Sequence, residues 1–319
     1  MRMKNVAILA VAACSLVACS GNNSISPAAP AASAASAPTN LTRPAWWREA
    51  PATIRAGVYV GQANGSTDGM VFGYKSPNKS DEAPLCSIGN QNFDQSQIAA
   101  DTAGNVYSPN LATAAINEYS PNCGSLVRTI VDPYGAAVDV TVHGNGIYAA
   151  GSQTVAVCTN AGCGSSLTDR SIFQLETVAV DSHSNVWASY YRQNGGPTLI
   201  VWPGGSMPGH IVTGDVNQNT PGDLIFDKND TLLSIQTRFT HAYVYHCSAV
   251  LASCTNVRTI NLKSASLFGS LNARNTNIQL TDYTNQAVDV YTYPSFAYEY
   301  SYSRGLMPNS AIQGIVQTH

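Results

Sequence analysis

Three carboxylates, Asp139, Glu176 and Asp223, recur at comparable intervals along the chain, and Gln97, Ser270 and Gln313 stand at related places. Carboxylates and amides brought together by a fold could hold a divalent cation through oxygen ligands. The plainer expectation is that these groups bind water inside the fold. Other chemistry has little support. The chain contains no Gly-x-Ser-x-Gly nucleophile elbow, no phosphate-binding loop and no zinc-protease helix motif. Its six histidines, His143, His183, His210, His241, His246 and His319, are scattered without metal-ligand spacing and read as surface or hydrogen-bonded side chains.

The chain has eight cysteines. Cys14 lies in the N-terminal leader and Cys19 at its end, which leaves Cys86, Cys123, Cys158, Cys163, Cys247 and Cys254 for the body. An even set in an exported chain points to disulfides. Cys158 with Cys163, and Cys247 with Cys254, flank short turn-like segments and should each staple a hairpin. Cys86 and Cys123 then pair by elimination. A zinc site is the rival, but these spacings differ from the usual Cys-x2-Cys, and no histidine cluster completes one.

The leader, "MRMKNVAILAVAACSLVACSG", joins Arg2 and Lys4 to an apolar run from Val6 to Val17. That run is short for a membrane-spanning helix and has the form of a signal peptide. Leu16-Val17-Ala18-Cys19 resembles a bacterial lipobox, in which the cysteine thiol carries the lipid and becomes the first mature residue. The resemblance implies a signal peptide over 1–18 and lipidation at Cys19. Ser20 in the following position favours the outer membrane or cell surface. From 19 to 50 the chain is rich in Ser, Ala and Pro, too poor in apolar surface to offset its ordering entropy, and reads as a flexible tether. Trp46 and Trp47 near its end should latch onto the body, with carbohydrate stacking as the alternative.

Residues 51–319 read as one repetitive all-β domain. "IAADTAGNVYSPN" (from Ile98) and "VAVDSHSNVWASY" (from Val178) spell the same strand, aspartate turn and strand, and "LIFDKNDTLLSIQ" (from Leu224) repeats it more faintly. Apolar residues alternate with small or polar ones, the period of a strand. No segment holds a helical period, so helix content should be very low. Six units of four short strands predict a six-bladed β-propeller. A sandwich has too few strands for this length, and the coils of a β-helix are much shorter than this repeat. The aspartate of each turn should accept hydrogen bonds from turn amides, with Gly or Asn supplying the positive φ. The first unit lacks an inner strand, and "SAIQGIVQTH" (from Ser310) supplies one without a successor, so the termini should pair and close the ring.

The Asp101–Tyr107 and Asp181–Trp187 turns resemble those of NHL and SMP-30-like propellers. In that arrangement Gln97, Asp139, Glu176, Asp223, Ser270 and Gln313 would crowd the mouth of the central channel. The SMP-30-like lactonases hold a metal there, so the resemblance implies a metal-dependent lactonase or hydrolase as one possible activity.

Composition narrows the class of function. Charged residues are 11% of the chain, with 16 Lys and Arg against 19 Asp and Glu and no basic cluster, which argues against a nucleic-acid surface. The reading that follows is a lipid-anchored, extracytoplasmic, non-enzymatic propeller. It would bind a protein, peptide or glycan and need no cofactor, with a divalent cation at the channel mouth belonging to the hydrolase alternative.

Overall fold

The strands begin where β-branched and aromatic residues alternate and end where Asp, Asn and Gly concentrate. In the computed structural model, residues 55–318 are described apart from 65–67, 92–96, 215, 217–219, 237–238 and 308–309. Cys19, the tether, and Trp46 and Trp47 lie outside the described residues. The body is built almost wholly of strands, with two three-residue 3-10 turns at Leu111–Thr113 and Pro203–Gly205.

Four sheets have four strands each. The first contains β1 (Val58–Asn64), β2 (Asp68–Tyr74) and β3 (Cys86–Gln91), with the C-terminal strand β24 (Ala311–Gln317) as its inner member. The second is β4 (Ala99–Ala100), β5 (Val106–Asn110), β6 (Ala115–Tyr119) and β7 (Leu126–Val131). The third is β8 (Asp139–His143), β9 (Gly146–Ala150), β10 (Thr154–Thr159) and β11 (Gly162–Thr168). The fourth is β12 (Ile172–Val180), β13 (Val186–Arg192), β14 (Pro197–Trp202) and β15 (His210–Ile211). All four are antiparallel meanders, and β24 pairs with β1 as the unmatched termini require.

The expectation of six separate four-stranded blades is corrected here: four stand alone, and the rest of the body is one eight-stranded sheet. That sheet runs β17 (Gly222–Phe226), β18 (Thr231–Gln236), β19 (Phe239–Ser248), β20 (Ser253–Leu271), β21 (Asn277–Asp282), β22 (Ala287–Thr292) and β23 (Tyr298–Tyr302), with β16 (Thr213–Gly214) pairing alongside β20. The cause is β20. Its first part pairs with β19 and its last part, from Ser266, pairs with β21, so the outer strand of one unit continues into the inner strand of the next. No proline or glycine interrupts "INLKSASLF" between those two parts.

Apolar faces pack from sheet to sheet. Val155 and Leu167 of the third sheet meet Val186, Tyr190 and Trp202 of the fourth. Phe72 and Tyr74 of the first meet Val288, Val290 and Tyr302 of the last strands, so the chain's two ends share one core. Trp187 and Trp202 are almost wholly buried, and side chains of that size dominate such a core.

Candidate functional site: the mouth of the central channel

Three of the repeat turns are each held by their own aspartate. Asp181 Oδ1 accepts from the backbone N–H of His183 (3.0 Å) and Asn185 (2.9 Å), while Oδ2 accepts from Asn185 Nδ2 (2.8 Å) and Trp187 Nε1 (3.0 Å). Asp101 repeats the pattern with Ala103, Asn105 and Tyr107. Asp227 does so with Asn229 and Thr231, its second oxygen taking the Tyr293 hydroxyl at 2.8 Å. These carboxylates are structural, as the turn chemistry implies.

The turns surround a cavity of about 400 Å³ whose walls are the inner strands. Its floor is a belt of side chains that tie one inner strand to another. Asp139 Oδ2 accepts from Val178 N–H at 2.6 Å, and Asp223 Oδ2 accepts from Gly269 N–H at 2.8 Å. Gln97 spans the widest gap. Its Oε1 accepts from Ile315 N–H (2.8 Å), and its Nε2 donates to Asp223 Oδ2 (3.4 Å) and Gly269 O (3.3 Å). Ser270 Oγ accepts from Gln317 N–H, and Gln317 Nε2 donates back to Ser270 O. The hydroxyls of Thr177 (3.0 Å) and Ser189 (2.8 Å) both donate to Gly222 O. Position 222 itself needs glycine because of the neighbouring strand β18, since a Cβ there would lie 2.2 Å from Ile235 O.

Of the expected channel residues, Gln97, Asp139, Asp223 and Ser270 line this cavity, and Glu176 and Gln313 do not. The last two stand earlier along β12 and β24 than the cavity-lining Val178 and Ile315. Glu176 there accepts from Gln174 Nε2 at 2.7 Å. The sequence gives no sign of the contributions of Gln317, Thr177 and Gly222, because their roles depend on which strands become neighbours across the ring.

Electrostatically the floor is unusual. Asp139 and Asp223 are 1% and 2% exposed. Burial pushes the Asp139 carboxyl up to about 7, against the opposing pull of the Val178 N–H. Burial, and then the neighbouring Asp139 charge, holds Asp223 well above the usual carboxylate range. Among the described residues, Asp139 Oδ1 has no hydrogen-bond partner. Such a group must either carry a proton or meet a donor.

At the rim, Ser182, His183 and Asp230 form a trio that does not work as a nucleophile. Ser182 Oγ donates directly to Asp230 Oδ2, and one imidazole nitrogen, His183 Nδ1, meets both that oxygen at 3.1 Å and Ser182 Oγ at 3.2 Å, leaving no second ring nitrogen in the relay. The imidazole therefore does not stand between serine and carboxylate, as general-base activation requires. Among the described residues no group of three or more His, Cys, Asp or Glu is placed to hold a metal ion. The floor's donor set does not fit a divalent cation either, because Gln97 turns its nitrogen, not its oxygen, toward Asp223.

No protein-family model matches the chain, so the NHL and SMP-30-like resemblance has no support at family level, and no curated protein matches it. Solved structures do. A chain in a nidogen/laminin complex aligns with TM-score 0.62 at 14% identity, over 82% of this chain and 98% of that one. A protein of unknown function from Bacteroides caccae gives 0.61 at 12%, over 83% and 99%. A streptogramin B lyase gives 0.51 at 9%, over 67% and 70%. At these identities the likeness concerns the fold alone, a propeller-like arrangement of sheets.

Proposed function

We propose that the protein is an extracytoplasmic binding module whose ligand enters the channel mouth. The observation that carries this reading is the cavity of about 400 Å³, open among the repeat turns and lined by Asp139 and Asp223, with one Asp139 oxygen buried and without a partner among the described residues. A concave site of this size with a few convergent polar groups is the usual form of a ligand pocket. One of the matching structures is a nidogen/laminin complex, so an interaction role has a precedent in this architecture. The test is a peptide and glycan library screened with the parent protein and with Ser182→Trp, which fills the rim. Ligands should be lost by the variant at unchanged Tm. Retention of every ligand by Ser182→Trp would move the binding surface elsewhere.

Three disulfides join Cys86–Cys123, Cys158–Cys163 and Cys247–Cys254, the pairing that the spacing suggests, and they suit an oxidising environment outside the cytoplasm. No helix among the described residues is long and apolar enough to cross a membrane. Our reading adds a lipid at Cys19 as the anchor. Mass spectrometry of the mature N-terminus tests it: a diacylated Cys19 supports the anchor, and normal cleavage to an unmodified N-terminus removes it.

The rival reading is a metal-dependent hydrolase that uses Asp139, Asp223 and Gln97. The unpartnered Asp139 oxygen favours it and the turned Gln97 amide opposes it. Stoichiometric divalent metal in the purified protein together with lactone turnover would establish the rival.

A further inference from the structure

We infer that the channel cavity is selective for a cationic organic ligand, whose ammonium end docks against the Asp139–Asp223 pair at the floor. The inference rests on the channel-mouth reading and names the chemistry that the mouth admits.

Three observations support it. Asp139 Oδ1 is a buried acceptor with no donor among the described residues, in a residue that lines the cavity. An ammonium group brings three donors and a compensating charge to that position. Acidic side chains also outnumber basic ones around the cavity: Asp139, Asp223, Asp227 and Asp230 line it with Lys228 and His143, although Asp227 is held in its turn and Asp230 stands against His183. A cleft lined by one sign of charge concentrates the opposite sign. Finally, the cavity is far larger than a bare ion, and the turned Gln97 amide leaves too few oxygens for a divalent shell. A primary amine on an alkyl stem suits both the depth and the donor requirement.

Protons provide the signature. The floor pair holds a proton near neutrality because both carboxyls are raised. A docked ammonium favours the ionised pair and must therefore release that proton on binding. Affinity should rise through pH 7 as the competing proton leaves, by about tenfold between pH 6 and 8 for one group titrating at about 7.

The experiment is calorimetry of the full-length mature protein with acetyl-Gly-Lys-Gly-amide, in which the ε-ammonium is the sole charge, against the same peptide carrying norleucine. The expected result is at least tenfold tighter binding of the lysine peptide, heats that vary with buffer ionisation and so report proton release, and the stated rise with pH. Asp139→Asn should weaken the lysine peptide at least tenfold, with Asp223→Asn as the second variant if the first does not fold. Equal affinity for the two peptides would overturn the inference while leaving a binding module standing. So would lysine-peptide binding without proton release. Absence of lysine-peptide binding would overturn it too, and the library screen would then decide separately whether the mouth binds anything. Stoichiometric calcium binding that Asp139→Asn abolishes would reassign the floor to an inorganic cation.

Discussion

Asp139 shows how a single side chain can serve the ring and the cavity together. One oxygen ties β8 to β12 through Val178, and the other is left without a partner among the described residues. The cost of keeping it buried depends on pH. With a folded value of about 7 against an ordinary value near 4, the native state holds more protons than the unfolded chain between those limits. Stability from this group is therefore full at about pH 4, falls as pH rises to about 7, and stays low above that. Glu176, raised to about 7 by burial, adds in the same direction. Thermal melts should show a lower Tm at pH 8 than at pH 5, with a smaller difference in Asp139→Asn; an equal pH dependence in the variant would mean that other groups set it. Gln97 is the second residue to test. Its side chain meets Ile315, Asp223 and Gly269, and Gln97→Ala leaves these polar groups short of partners. The expected cost is about 2–4 kcal/mol in denaturant unfolding. A change under 0.5 kcal/mol would show that water replaces the amide. The sequence marks Gln97, Asp139, Asp223 and Ser270 as channel residues through their place in the repeat. Glu176 and Gln313 lie outside the cavity lining, because the repeat fixes a strand and not the height of each residue along the channel axis.

At the scale of elements, the hairpins of Asp101 and Asp181 are legible because local chemistry specifies them completely. The aspartate, the turn amides it binds and the aromatic that reaches back to it lie within six residues of one another. Asp181→Ala should cost about 3 kcal/mol, since it strips acceptors from two turn amides, an amide side chain and the buried Trp187 Nε1. A loss below 1 kcal/mol would mean that the turn is fixed by its strands. β20 was not legible as a single strand. A run without proline or glycine marks strand but carries no sign of where one blade ends, and the division follows from which neighbour each half pairs with. The disulfides differ by loop length. The chain-entropy model gives about 4 kcal/mol for Cys86–Cys123, which spans 37 residues, and about 2 kcal/mol for the pairs spanning 5 and 7. Replacing each pair by serines should lower Tm in that order, and equal shifts would show that native-state strain outweighs loop closure.

The described body is a ring of sheets whose first sheet is completed by the last strand. β24 supplies the inner strand beside β1, and its Ile315 anchors Gln97 at the channel floor. Removing residues 311–319 should therefore abolish cooperative unfolding and ligand binding together, whereas removing residues 20–39 should change neither. In an antiparallel meander the turn after each inner strand and the turn after the second strand fall on opposite faces, so the channel mouth and its reverse side can be probed separately. Hydrogen–deuterium exchange of the full-length mature protein, with and without a ligand selected from the library, tests the central claim most directly. Binding at the mouth should protect residues 143–146, 182–185, 228–231 and 272–276 and leave 111–114, 151–153, 193–196 and 283–286 unchanged. Protection of the second set, with the first set unaffected, would contradict a binding site at the channel mouth.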